Sequence, residues 1–170
     1  MTDLRSAPLP GPSEEDHVRG PAGAPLVIVY ADFECPYCAV AARQMEGVPL
    51  RSVFRHFPVR TSHPRAWAAA GAAEAAGLQG RFWEMHDLLF ADQGRLEDPH
   101  LWARARSLEL DLERFDADRR GDAVLARIRR DFESGVKGGV VTTPTVIAQG
   151  ARYAGRIDLQ VLEELSSGRR

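Results

Sequence analysis

At 170 residues, with 44% hydrophobic and 27% charged side chains, the chain is long enough for one well-cored domain and short for two. Its formal net charge of −2 provides no global field for nucleic acid or an anionic membrane surface, so neither is expected as a partner. The longest apolar run, near Pro25 to Tyr30, is far shorter than the roughly 20 residues a spanning helix needs.

Residues 1–24 are rich in Pro and Gly, include the acidic Ser13-Glu14-Glu15-Asp16, and read as a mobile arm. They contain no apolar leader, so a chain starting at Met1 is expected to stay in the cytoplasm. Leu26-Val27-Ile28-Val29-Tyr30 is a β-branched run that predicts a buried central strand. A turn over Asp32 to Cys35 follows, and Pro36 suits the first position of a helix that runs through Met45 and is stopped by Gly47 and Pro49. Arg51 to Phe57 predicts a second strand with Val53 and Phe54 as its core contacts.

From His63 to Val136 the pattern is helical. Eight alanines between Ala66 and Ala76 describe a helix able to approach its neighbours closely. Phe82, His86, Leu89 and Phe90 share one face of the next helix, which makes His86 a packing residue. Asp98 is placed to cap a third helix with Pro99 at its first position. Val124, Leu125, Ile128, Phe132 and Val136 form the apolar stripe of a fourth. The end returns to strands: Thr145 to Ala148, a turn at Gln149-Gly150, then Arg152 to Ala154, with Asp158 capping a last helix.

The only two cysteines, Cys35 and Cys38, stand in Cys-Pro-Tyr-Cys between the first strand and its helix. That places Cys35 at a helix N-terminus, where unpaired amides and the helix dipole favour an anion and depress a thiol pKa. Cys38, one turn on, points inward. Cys35 is therefore the attacking thiolate and Cys38 the resolving thiol of disulfide exchange. Two other readings stay open. Zinc needs four ligands, which would require His56 and His63 or a second copy of the chain. A static disulfide would close almost no chain.

The segments "DFECPYC", "FRHFP", "HP" before the alanine-rich helix, "FWEMHDLLF", "ESGVKGGV" and "TTPTVIAQG" together resemble the DsbA-like branch of the thioredoxin fold. More narrowly, they are similar to short bacterial thioredoxin-like domains related to those fused to Na+/H+ antiporters. The resemblance implies an α/β, thioredoxin-like fold with an inserted helical domain. It divides the chain into core residues 25–62, inserted helices 63–138, core residues 139–167 and a tail at 168–170. It also implies a cis bond at Thr143-Pro144 beside the cysteines. Thr143 and Pro144 would contact substrate there, with Pro36 and Tyr37 as further candidates. Tyr37 stands where strongly oxidising members often carry His, which implies a milder potential. Thr142 replaces a frequent Gly, and the connection from Cys38 to "FRHFP" is shorter than usual.

Asp32 and Glu34 are candidate proton acceptors for Cys38. Arg51 to Arg65 holds four arginines, two histidines and no acid, a candidate basic patch for an acidic partner or glutathione. The expected activity is thiol-disulfide exchange with protein thiols or disulfides, glutathione being a further candidate partner, and with no cofactor or metal. The alternatives are a redox-sensing interaction module with little turnover and a glutathione-dependent transferase or isomerase. The intact CxxC counts against the last.

Overall fold

The computed structural model describes residues 8–168. Five strands form one mixed sheet in the order β1-β3-β2-β4-β5. They are β1 (His17–Arg19), β2 (Leu26–Ala31), β3 (Arg51–His56), β4 (Thr145–Ala148) and β5 (Ala151–Ala154). β2 and β3 run parallel, joined by helix α1 (Pro36–Glu46), while the other pairings are antiparallel. Between β3 and β4 the chain inserts α2 (Ala66–Gly77), α3 (Phe82–Ala91), α4 (Asp98–Ser107), α5 (Leu112–Asp118) and α6 (Asp122–Lys137). A final helix, α7 (Leu159–Ser166), follows β5. This is a thioredoxin-like α/β fold with a helical insertion. None of the described helices is long and apolar enough to cross a membrane.

β2 is apolar on both faces because both are covered. Val27, Val29 and Ala31 join the larger core with Phe33, Phe54 and the buried alanines of α2, whereas Ile28 and Tyr30 face a smaller core with Val53, Phe57 and Val140. Small residues set the spacing of the helices. A Cβ on Gly71 of α2 would meet the Arg119 carbonyl just beyond α5 at 2.6 Å, and one on Gly135 of α6 would meet the Phe57 ring at 2.8 Å.

Several elements differ from the sequence expectations. The arm expected to be mobile over 1–24 is docked in its described part, and residues 1–7 lie outside the described residues. His17–Arg19 pairs with β3, and the buried Arg55 guanidinium donates to the Pro10 and Gly11 carbonyls and to Asp16. Burial would raise the Asp16 pKa, but the hydrogen bonds from Arg55 and the Ser13 backbone hold it below the usual carboxylate range.

Asp98 is the first residue of α4 rather than its cap, because Arg119 and Arg120 draw its carboxylate away. The short α5, capped by Asp111 accepting from the Arg114 amide, is an element the apolar spacing does not announce. Val136 leaves the α6 stripe and is 52% exposed. The arginines of 51–65 form no patch: Arg55 is buried on Asp16, Arg65 pairs with Glu34 and Glu97, and Arg60 lies over the Trp67 ring. Of the tail at 168–170, only Gly168 is described.

Candidate active site

The site is built at the end of β2. Asp32 to Cys35 turns the chain, the Cys35 amide donating to the Asp32 carbonyl at 3.1 Å. Pro36 then starts α1 with Cys35 as its N-cap, so the Cys35 sulfur sits at the end of the helix where backbone N–H groups are unpaired. Both cysteines are free thiols and both are buried, Cys35 at 4% exposure and Cys38 at 2%. The loop before β4 covers Cys35: its thiol donates to the Thr143 carbonyl at 3.3 Å. The Thr143–Pro144 peptide bond is cis.

The two thiols are electrostatically unlike. The Cys38 thiol hydrogen-bonds to the Cys35 sulfur and pulls its pKa down. Burial opposes this, while the Thr143 side chain and the backbone N–H groups of Cys38 and Tyr37 add to it. The result is a Cys35 pKa of about 6. Cys38 goes the other way, pushed well above an ordinary thiol by burial, by its hydrogen bond to Cys35 and by the charge there. The Asp32 amide donates to the Cys38 sulfur at 3.5 Å. Near neutral pH the arrangement holds one thiolate and one thiol in contact, the state disulfide exchange starts from.

The remaining candidates fall in two groups. Pro36 and Tyr37 lie on the first turn of α1, and Tyr37 is 55% exposed beside the buried sulfur. Thr143 and Pro144 face Cys35 and Cys38 respectively, Pro144 lining a cavity it shares with Cys38. Asp32 and Glu34 are close in sequence but committed elsewhere. The Asp32 carboxylate accepts from the Glu34 and Val59 amides and pairs with His63, and only its backbone N–H reaches Cys38. The Glu34 carboxylate is held by the amide and guanidinium of Arg65 at the start of α2. His56 shares the Glu74 carboxylate with His17 on β1, at 2.7 and 2.8 Å. No group of three or more metal-ligating side chains is assembled among the described residues.

Two residues of the insertion reach the site without any signal in the sequence. Gln93, after α3, donates to the Phe33 and Cys35 carbonyls at 2.8 Å each, tying the cysteine turn to the helical insertion. His86 lines the cavity of about 30 Å³ behind Cys38, with Met45, Phe54, Trp83 and Phe90. A polar side chain at one position of a helical face gives no indication of which turn it will meet.

Comparison with known proteins is consistent with this geometry. The Thioredoxin family model matches residues 12–165. Among curated proteins, Na(+)/H(+) antiporter NhaA 1 of Salinispora arenicola is 45% identical over 163 residues, which cover 91% of this chain and 24% of that protein. Na(+)/H(+) antiporter NhaA of Herminiimonas arsenicoxydans is 44% identical over 156 residues, 88% of this chain and 25% of that protein. The chain thus spans about a quarter of the length of the curated relatives it matches. Among solved structures, a thioredoxin-like oxidoreductase from Silicibacter pomeroyi superposes with a TM-score of 0.82 at 26% identity, covering 92% of each chain. The thiol-disulfide exchange protein alpha-DsbA2 from Wolbachia pipientis gives 0.80 at 18% identity, covering 91% of this chain and 87% of that one. The latter likeness is one of fold.

Proposed function

We infer that this chain, which belongs to the Thioredoxin family, is a DsbA-like thiol-disulfide oxidoreductase that exchanges disulfides with protein substrates through Cys35 and Cys38. The observation that carries this reading is the pairing, at a helix N-terminus, of a Cys35 thiol whose pKa is lowered to about 6 with a buried, proton-retaining Cys38. The Cys35 thiolate attacks a substrate disulfide and expels one substrate thiolate, leaving a mixed disulfide. Cys38 then attacks the Cys35 sulfur, loses its proton and expels the second thiolate. Two electrons pass to the substrate and the Cys35–Cys38 disulfide remains; the reverse sequence oxidises a dithiol.

Substrate is proposed to lie along the segment before β4, where Val141 is 87% exposed, and over Tyr37 and Val40, exposed at 55% and 44%. An extended peptide there would meet backbone at Val141 to Thr143 and apolar surface on α1. Glutathione is a smaller candidate for the same sulfur. With Tyr37 rather than a cationic His beside the thiolate, the reduced form receives less stabilisation, and the proposed potential is milder than that of strong oxidants of this fold.

The test is a glutathione redox titration read by alkylation mass shift. The reading expects a reversible intramolecular disulfide, and a glutathione adduct trapped on Cys35 in Cys38→Ser. It fails if no internal disulfide forms. A midpoint as oxidising as the strong periplasmic oxidants would overturn the milder potential alone.

A further inference from the structure

Resolution requires Cys38 to shed a proton inside the protein, and the carboxylates nearest in sequence are occupied. Asp32 is bonded to two amides and His63, and Glu34 to Arg65. Neither belongs to the lining of the cavity behind Cys38. The polar residues of that lining are Arg19, Cys38, Ser52 and His86. Its volume, about 30 Å³, accommodates a water, which needs roughly 10–15 Å³ and two or more polar partners.

His86 is 3% exposed and enclosed by the rings of Phe33, Phe54, Trp83 and Phe90. Its Nδ1 lies 2.7 Å from the Asp87 carboxylate, which is half-exposed and also paired with Arg19 at 2.8 Å. With Asp87 ionised, Nδ1 carries the ring proton, and Nε2 has a free lone pair with no hydrogen-bond partner among the described residues.

We propose that His86 accepts the Cys38 proton, through a water in this cavity, as Cys38 attacks the mixed disulfide on Cys35. The inference rests on the redox reading above and adds the proton's route to it. As the Cys38 sulfur bonds to Cys35, the S–H bond breaks and its proton passes to the water, which gives one of its own to Nε2. Nδ1 can then release its proton through Asp87 to solvent, while the electron pair of the broken mixed disulfide leaves with the substrate thiolate. In the oxidising direction the same route delivers a proton to Cys38. The charged and titratable groups around His86 are Asp87 on its own helix, Arg19 of β1, His56 of β3 with its partner Glu74 of α2, and Cys38 of α1. Burial lowers the His86 pKa to about 4, against the pull of Asp87 and with the help of Arg19, so near neutral pH the ring is uncharged, with its lone pair available, when Cys38 attacks.

Stopped-flow reaction with equimolar Ellman's reagent separates the steps. The first release of thionitrobenzoate reports attack by Cys35, and the second reports resolution by Cys38. In His86→Gln and His86→Phe, the second release near neutral pH should slow by about tenfold or more, since general-base assistance commonly contributes about 10²–10⁴-fold. The gap should close at high pH, where hydroxide removes the proton directly. His86→Phe suits the aromatic surroundings and guards against a folding defect in His86→Gln; a first release at the wild-type rate certifies either variant as folded. An unchanged second release, or one slowed by the same factor at every pH, overturns the proposal. A wild-type protein with no second release would instead overturn the redox reading, and the proposal with it.

Discussion

Removing the Cys38 thiol should raise the pKa of Cys35, and the size of the shift follows from the contacts. The Cys38 hydrogen bond is the largest influence on Cys35, which stands at about 6. Hydrogen bonds to charged groups are worth roughly 1.5–3 kcal/mol, and about 1.4 kcal/mol moves a pKa by one unit. A thiol is a weak donor, so the effect belongs at the low end, about one unit. Cys38→Ala leaves the helix N-terminus, the Tyr37 amide and Thr143 in place, so the shift isolates the thiol's share. At pH 6.5 a rise from about 6 to about 7 reduces the thiolate fraction from roughly three-quarters to roughly one-quarter, a threefold loss. Ultraviolet thiolate absorbance against pH gives the midpoint, and the iodoacetamide rate gives an independent one. If the Cys38→Ala midpoint matched the wild type, the backbone and Thr143 alone would be holding the thiolate, and the division of labour argued above would lose its electrostatic basis.

Three further outcomes can be checked on the same protein. The folded Cys35 pKa of about 6 lies below the roughly 8.5 of a free thiol, so the thiolate stabilises the reduced fold above the unfolded value and that contribution is lost as pH falls through about 6. Urea midpoints of the reduced protein should carry a component that rises between about pH 6 and 8.5, and Cys35→Ala should remove it. Arg55→Met would strip the buried Asp16 of its main partner and release the Pro10 and Gly11 carbonyls, costing about 3–5 kcal/mol. Limited proteolysis should then cut within residues 10–19 first, and unchanged protection would refute the clamp. Gly135→Ala gains about 1 kcal/mol of helix propensity but drives a Cβ to 2.8 Å from the Phe57 ring. Overpacking of this kind costs about 1–3 kcal/mol, so thermal melting should show a net loss.

Where the sequence was legible, one dominant force set the local structure. β2 could be read because burial on both faces demands an uninterrupted apolar run, and α1 because Pro36 fixes its start. The β4–β5 turn was readable too: Gln149 and Gly150 both take positive φ, 50° and 79°, as a tight hairpin turn requires. β1 was hidden because three residues carry no period, and its anchor is Arg55, whose charge reads as solvent-facing until Asp16 arrives from 39 residues away. The same blindness turned a dispersed set of paired arginines into an apparent basic patch. Val136 was misplaced because apolar spacing registers hydrophobicity without recording where the neighbouring element ends.

The candidate site divides along the same line. The thiol pair is local chemistry: two cysteines, a proline and a helix start within four residues create the acidity, and no distant contact is needed to infer it. The control of that chemistry is not local. Arg65 grips Glu34 next to Cys35, Gln93 grips the Cys35 carbonyl, and His86 fronts the cavity behind Cys38. All three come from the helical insertion or its immediate entry, so the insertion touches the turn before Cys35, the carbonyl at Cys35 and the space beyond Cys38. Helices that merely enlarged the core would have no reason to concentrate polar contacts there. The insertion therefore positions the thiols and supplies an ionisable group beside the one thiol that must lose its proton out of contact with solvent. Motion of α3 relative to α1 should consequently alter resolution by Cys38 more than attack by Cys35, because His86 rides on α3 whereas the Cys35 thiolate draws its stabilisation from α1, Cys38 and Thr143.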